Sequence, residues 1–264
     1  MAIVTVHLMG GLGNQLFQIA AAYAYARRHG CELVFLKTWQ SPQDRLPIWD
    51  TYLDSTNWNF VDSTENFSLL SEKGFSFSEL PPGSFKVKLF GYFQSSRYFY
   101  ECANEIRERL QIPKMYLELY PIPRNHTYSY IGAHVRRGDY VTKSEYHLSC
   151  TKKYYTSARQ IIGQLPVYWI TDDPDWVREN LEVLGDKVFS GDTIQDFTRL
   201  SQFKHLILSN SSFSWWAAWL NPLGHADRTI CCPNRWFGPQ GPQDYQDVYE
   251  VGWIQVDTVT GVSV

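Results

Sequence analysis

The stretch Ile131-Gly-Ala-His134-Val-Arg136-Arg137-Gly138-Asp139-Tyr140 decides how the whole chain is read. A short β-rich apolar run over 129–135, bounded by turn residues, predicts a buried strand that stops abruptly at two arginines, a glycine and an aspartate. The charges therefore sit at the carboxyl end of a strand. Adjacent strand residues face opposite ways, so if the extended conformation runs through them, Arg136 and Arg137 divide their tasks: one binds and the other braces. A guanidinium is planar, permanently charged and bidentate toward phosphate, and Gly138 lets the backbone turn closely past it. An anionic ligand is the expectation. The competing reading is a structural Arg137–Asp139 ion pair that closes a loop.

Outward from this stretch, the second half repeats one unit. Strand 129–135, helix 154–164, strand 167–170, helix 176–184, strand 187–189, helix 195–203, strand 205–208, helix 213–220 and strand 229–231 alternate, which predicts a doubly wound α/β domain. Its polar motifs fall after the strands: His134 to Asp139, Thr171-Asp-Asp-Pro174, Ser190-Gly-Asp-Thr193, Ser209-Asn-Ser-Ser212 and Pro233-Asn-Arg235. In a parallel sheet those carboxyl ends share one edge, where ligands bind. Asp173-Pro174 has the chemistry of a helix start, Asp as cap and Pro at the first helical position, which leaves Asp172 free to accept hydrogen bonds from a guanine or ribose. Asp173-Pro-Asp175 also spells a D-x-D, but a capped helix start commits these acids to the backbone, so no metal is expected. Ser209 to Ser214 precede an apolar Trp215-Trp-Ala-Ala-Trp-Leu helix, whose first N–H groups and hydroxyls suit either a phosphate or plain serine capping.

The first half opens with strand 3–9, the turn Gly10-Gly-Leu-Gly13, helix 14–29 closed by Gly30, and strand 32–36, a parallel unit with a right-handed crossover. It is a poor dinucleotide fingerprint, because counting from Gly11 the third glycine position holds Leu16. Asn14 reads as a cap, or with Gln15 as an amide donor to a ligand. From 40 to 125, Trp49, Trp58 and many other aromatics lie among Pro, Ser and Asp with no sustained period, as does Trp39 just before. Long loops, a short strand 91–93 and a helix 98–110 are expected there, with aromatics that suit core packing or sugar stacking. Pro113 and Pro121-Ile-Pro123 punctuate the chain, which places a domain boundary near 125 and divides it into 1–125 and 126–264.

Composition narrows the classes. The 264 residues are 44% hydrophobic and 16% aromatic, enough for a sizeable core, and carry a net charge of −3. Their 24 scattered Lys and Arg argue against a nucleic-acid surface, which must neutralise many phosphates. Five cysteines without C-x-x-C spacing signal neither a disulfide framework nor a zinc site, and fit a reduced, cytoplasmic setting. No basic n-region with a cleavage site opens the chain and no apolar run reaches the ~18 residues of a membrane span, so no targeting signal is expected. The Asn-x-Ser/Thr matches at Asn66, Asn125 and Asn210 then lack a glycosylation context.

Four motifs together, Gly10-Gly-Leu-Gly-Asn-Gln-Leu-Phe17, His134-Val-Arg-Arg-Gly-Asp139, Thr171-Asp-Asp173 and Ser211-Ser-Phe-Ser-Trp-Trp216, resemble the α1,2-fucosyltransferases of glycosyltransferase family eleven. The resemblance implies an α/β fold of GT-B type, two Rossmann-like domains facing a cleft, with 1–125 on the acceptor side and 126–264 holding GDP-β-L-fucose. It implies transfer of L-fucose to the 2-hydroxyl of a galactose-containing glycan, inverting to an α1,2 linkage, with no cofactor and no divalent metal. In related fucosyltransferases that share the H-x-R-R-x-D pattern, the histidine and the T-D-D aspartate contact the guanine end and the arginine holds the β-phosphate. Carried over, these are His134, Asp172 and either Arg136 or Arg137, with Gly11, Asn14, Ser211, Ser212 and Phe213 completing the donor set. Asp139 and Glu145 are the candidate bases, Glu145 one residue off the position that related enzymes suggest. A cytoplasmic location is implied, at the inner face of a membrane if the acceptor is lipid-linked. Two rival classes are a glycan or nucleotide-sugar binding module and a dinucleotide oxidoreductase, the latter disfavoured by Leu16.

Overall fold

Short apolar runs separated by amphipathic segments build two parallel sheets in a computed structural model that describes residues 1–37, 48–223 and 227–264. Trp39 lies outside the described residues. The chain divides into two units, Met1–Gln111 with Asp244–Glu250, and Ile112–Gln243 with Val251–Val264.

In the first unit, β1 (Ile3–Val6), β2 (Glu32–Leu36), β3 (Asn59–Val61), β4 (Ser68–Ser71) and β5 (Lys86–Phe90) form a sheet in the order β3-β2-β1-β5-β4, with every pair parallel. Helix α1 (Leu12–His29) crosses from β1 to β2 and buries Leu16, Phe17, Ile19 and Ala20 completely. It starts at Leu12 rather than at residue 14, so Gly11 and not Asn14 is the cap residue. Gly30 ends it in the left-handed conformation at φ 61, its N–H donating to the Ala26 carbonyl. The expected strand 91–93 is instead a loop, with Phe93 at φ 53, because both Glu72 carboxylate oxygens hold the Tyr92 and Phe93 N–H groups off the ladder. The expected helix 98–110 is broken into 3₁₀ turns at Ser96–Tyr98 and Tyr100–Cys102 before α2 (Ala103–Leu110). Strands β3 and β4 lie at the sheet's two ends and bury no residue fully, so they carry no alternating signal. Trp49 and Trp58 pack with Phe35, at ring centroids of 4.6 and 5.4 Å, which makes core packing their role.

In the second unit, α3 (Lys114–Leu119) and α4 (Arg124–Ser129) precede β6 (Ile131–Val135). The expected boundary near 125 falls within this unit, since the Gln202 side chain accepts from the Ile122 N–H and donates to the Tyr120 carbonyl. After β6 come α5 (Gly138–Thr142), α6 (Lys152–Ile162), β7 (Val167–Thr171), α7 (Pro174–Asn180), β8 (Lys187–Phe189), α8 (Thr193–Leu200), β9 (His205–Ile207), α9 (Ser212–Trp219), β10 (Ile230–Pro233) and β11 (Ile254–Val256). The sheet order is β11-β10-β9-β6-β7-β8, all parallel, so the doubly wound expectation holds. Chain progression reverses between β6 and β9. Strand β6 is buried throughout, as its apolar run predicts, but starts at Ile131 because α4 takes the residues before it. The buried Asp186 carboxylate ties β7 to α6, pairing with both terminal nitrogens of Arg159 at 2.9 Å and accepting from the Val167 N–H and the Trp169 indole.

Candidate functional site

Parallel strands bring the carboxyl ends of β6, β7, β8, β9 and β10 to one edge of the second unit, and the chain reverses between β6 and β9, the position at which sheets of this kind bind ligands. His134, near the end of β6, spans the reversal: its Nδ1 lies 2.7 Å from the Ser209 hydroxyl just beyond β9. Burial first, and the nearby Arg136 charge second, push its pKa down to about 3, so the imidazole is neutral at physiological pH. The ring packs 4.9 Å from Phe213, which in turn meets Phe197 edge-on.

Beyond β6 the two arginines diverge, although the strand has ended at Val135 and Arg137 has left the extended conformation at φ −129 and ψ −58. Arg136 donates from one terminal nitrogen to Asp172 at 2.7 Å and from the other to Asp139 at 2.5 Å. Arg137 turns away, donating from Nε to Asp173 at 2.9 Å and lying 4.1 Å over the Trp176 ring. The anticipated Arg137–Asp139 pair is thus replaced by Arg136–Asp139, because the turn into α5 at Gly138 brings Asp139 back to Arg136 while Arg137 is taken by Asp173. Asp172 is not left free: Oδ1 accepts the Arg137 backbone N–H and Oδ2 the Arg136 guanidinium. Gly138 is what allows this, since a Cβ there would sit 2.7 Å from the Asp172 Oδ2. Asp173 does cap α7, accepting from the Trp176 N–H with Pro174 in the first turn, and Asp175 pairs with Arg178.

Arg136 is about one-third exposed against 18% for Arg137, and its bonds to Asp172 and Asp139 use two of a guanidinium's five N–H donors. It can meet an anion at the edge while Arg137 stiffens the loop from behind. Asp139 loses some acidity to burial, but the Arg136 charge and hydrogen bond and the His147 ring outweigh this and hold its pKa below the ordinary value.

Ser211 caps α9 by accepting from the Phe213 N–H, and Ser212 and Phe213 form the first turn at the same edge. Asn210, which the sequence places in the Ser209–Ser212 motif without a role of its own, is almost fully buried and donates to the carbonyls of Leu148 and Trp236. Its own carbonyl accepts from the Tyr140 hydroxyl. One amide therefore fastens the loops after α5 and β10 to the loop after β9. Glu145 is exposed in the turn after α5, its backbone carbonyl accepting from Gln240.

Gly11 and Asn14 belong to the first unit. Gly10, at φ 77, lets Asn14 fold back against it, and Asn14 Oδ1 accepts from the Gln94 side chain. Gln15 is a structural residue rather than a ligand donor: its amide bonds the Gly10 carbonyl and the Ile48 N–H, as Gln18 does both backbone groups of Met9. Among the described residues, no helix is long and apolar enough to cross a membrane.

The family model for glycosyl transferase family 11 matches residues 3–257. An alpha-1,2-colitosyltransferase of Escherichia coli is 30% identical, over 97% of this chain and 100% of that protein. A galactoside alpha-(1,2)-fucosyltransferase 2 of Hylobates lar is 27% identical, over 82% of this chain and 68% of its own length. Among solved structures, the NodZ alpha-1,6-fucosyltransferase soaked with GDP-fucose, an enzyme from Bradyrhizobium, superposes with a TM-score of 0.53 at 16% identity, covering 84% of this chain and 93% of that one. POFUT1 in complex with GDP superposes at 0.54 with 14% identity, covering 87% and 97%. At such identities the likeness is one of fold, and the two parallel α/β units make that fold GT-B in type.

Proposed function

The chain belongs to glycosyl transferase family 11, and we propose that it transfers L-fucose from GDP-β-L-fucose to the 2-hydroxyl of a terminal galactoside, inverting to an α1,2 linkage without a divalent cation. The observation that carries this reading is Arg136, a partly exposed guanidinium held by Asp139 and Asp172 at the carboxyl edge beside the β6–β9 reversal.

As the fucosyl C1–O bond breaks, the sugar gains oxocarbenium character and GDP gains negative charge. A donor fixed in advance at the β-phosphate then favours the transition state over the ground state. Arg136 fills that role in this reading, with Ser212 and the first N–H groups of α9 beside it. The neutral His134 offers a hydrogen-bonding ring with no charge of its own. Asp139 acts as the brace of Arg136 rather than as the base, since a carboxylate bound at 2.5 Å to a guanidinium with a lowered pKa is a poor proton acceptor. Glu145 keeps an exposed carboxylate and is the remaining candidate for activating the acceptor hydroxyl.

The test is incubation of the chain with GDP-fucose and a panel of galactosides, followed by linkage analysis. An α1,2-fucosylated product supports the reading; GDP release that never depends on an acceptor, or a different linkage, rejects it. The match to an alpha-1,2-colitosyltransferase favours a second reading, in which the donor sugar is colitose. The same assay with the GDP conjugates of both sugars, compared by kcat/KM, separates the two.

A further inference from the structure

On the edge of the second unit, a continuous line of rings leads away from Arg136. The guanidinium carbon lies 5.5 Å from the Tyr140 ring, and Tyr140 stacks on His147 at 4.4 Å with planes 7° apart. His147 meets Tyr146 edge-on at 4.8 Å, and Tyr146 meets Phe237 edge-on at 5.7 Å. The line reaches the open at Tyr146, which is 43% exposed, while Phe237 is half-buried. Glu145 presents an exposed carboxylate beside it.

The backbone is built to hold these rings still. The Gly238 N–H donates to the Tyr146 carbonyl and the Gln240 N–H to that of Glu145. A Cβ at Gly238 would lie 2.6 Å from the Glu145 carbonyl oxygen and 2.7 Å from that of Ser144, and one at Gly241 would lie 2.9 Å from that of Tyr146. Only glycines permit so close an approach, so the turn carrying Tyr146 is clamped on the loop after β10 that carries Phe237, by sequence as well as by hydrogen bonds. Asn210 fixes the same two loops from beneath, through Leu148 and Trp236.

We propose that the exposed Tyr146 ring, with the half-buried Phe237 ring packed edge-on beside it, forms a wall that stacks against the apolar face of the acceptor galactoside and sets its orientation. A pyranose offers one face of C–H groups and a rim of hydroxyls, and the wall offers rigid rings flanked by the Glu145 carboxylate. Its continuity with Arg136 places the acceptor sugar next to the departing diphosphate. This rests on the reading of Arg136 as the phosphate group given above, and deepens it by naming residues that select the acceptor.

Binding of methyl β-galactoside in the presence of GDP, followed by saturation-transfer NMR, tests the wall without requiring turnover. Tyr146→Ala and Phe237→Ala are expected to weaken galactoside binding, and to raise the acceptor KM, by about tenfold. Tyr146→Phe, which keeps the ring, is expected to restore both, and GDP affinity in all three variants, which also reports folding, should match the wild type. Galactoside binding that is absent in the wild type or unchanged in both alanine variants overturns the proposal. So does a loss confined to GDP affinity, which would make the wall a platform for the base. A chain that rejects GDP-fucose but binds galactoside through Tyr146 would correct the donor and leave the wall in place.

Discussion

His134 Nδ1 and the Ser209 hydroxyl, 2.7 Å apart and 75 positions apart in the chain, join β6 to the loop after β9 at the place where the strand order reverses. The bond ties the two elements across the reversal, and Arg136 follows two residues further on. Because the imidazole is buried and faces a guanidinium, it keeps its proton count fixed where a charged ring would repel the arginine.

The two arginines should fail differently. Arg136→Ala removes two charge-assisted bonds and the proposed phosphate contact, so turnover of GDP-fucose is expected to fall about ten- to hundredfold with little change in Tm. Arg137→Lys keeps a charge but loses the planar contact with Trp176 and the Nε bond to Asp173, and is expected to lower stability by roughly 1 kcal/mol. Unfolding curves and initial rates on both variants check this, and wild-type turnover in Arg136→Ala would remove it from the site.

Catalysis is expected to persist in excess EDTA. Asp173 is spent on capping α7 and pairing with Arg137, and Asp175 on Arg178, so the D-x-D sequence is a helix start with its acids engaged. Activity abolished by EDTA and restored by Mg²⁺ or Mn²⁺ would reject the metal-free mechanism.

Acid should destabilise the fold through His134. Its folded pKa of about 3 lies below the ordinary 6.5, so between those values the unfolded chain binds the extra proton and stability falls as pH falls. Asp196 works in the opposite direction: burial raises its folded pKa to about 6 from 3.8, so its share of stability is lost as pH rises through that window. Replacing Asp196 by Asn is therefore expected to steepen the acid loss, and His134→Gln to reduce the drop between pH 7 and 4.5 by roughly 2 kcal/mol. Urea titrations at the two pH values measure both, and equal drops in wild type and His134→Gln would refute the assignment.

Asn210→Ala leaves the buried carbonyls of Leu148 and Trp236 without their shared donor. At ~1–3 kcal/mol for each unsatisfied group, a loss of roughly 2–6 kcal/mol is expected for the two. Equilibrium denaturation decides it, with a change below about 0.5 kcal/mol counting against Asn210 as the fastener of these loops.

The doubly wound second unit was legible because its signals are local. The apolar run of β6, the Asp173-Pro174 start of α7 and the Gly30 stop of α1 each act within a few residues, and each formed as expected apart from the first residues of β6. The motif set likewise pointed to the family whose model matches residues 3–257. Strands β3 and β4 were not legible, since edge strands with exposed faces display no burial pattern to read.

Side-chain partnership was another matter. The sequence by itself put Arg136, Arg137, Asp139 and Asp172 near one strand edge, through the parallel alternation of strands and helices. Only the tertiary structure decided that Asp172 is claimed by both arginine residues, that Arg136 rather than Arg137 takes Asp139, and that Gln15 serves the backbone. It also decided the division of the chain, carrying Asp244–Glu250 back to the first unit, where Asp244 accepts from the Phe75 N–H. The physical reason is range: periodicity and capping are written in neighbouring residues, whereas an ion pair is chosen among all the charges that folding brings within a few ångströms, from positions tens of residues apart.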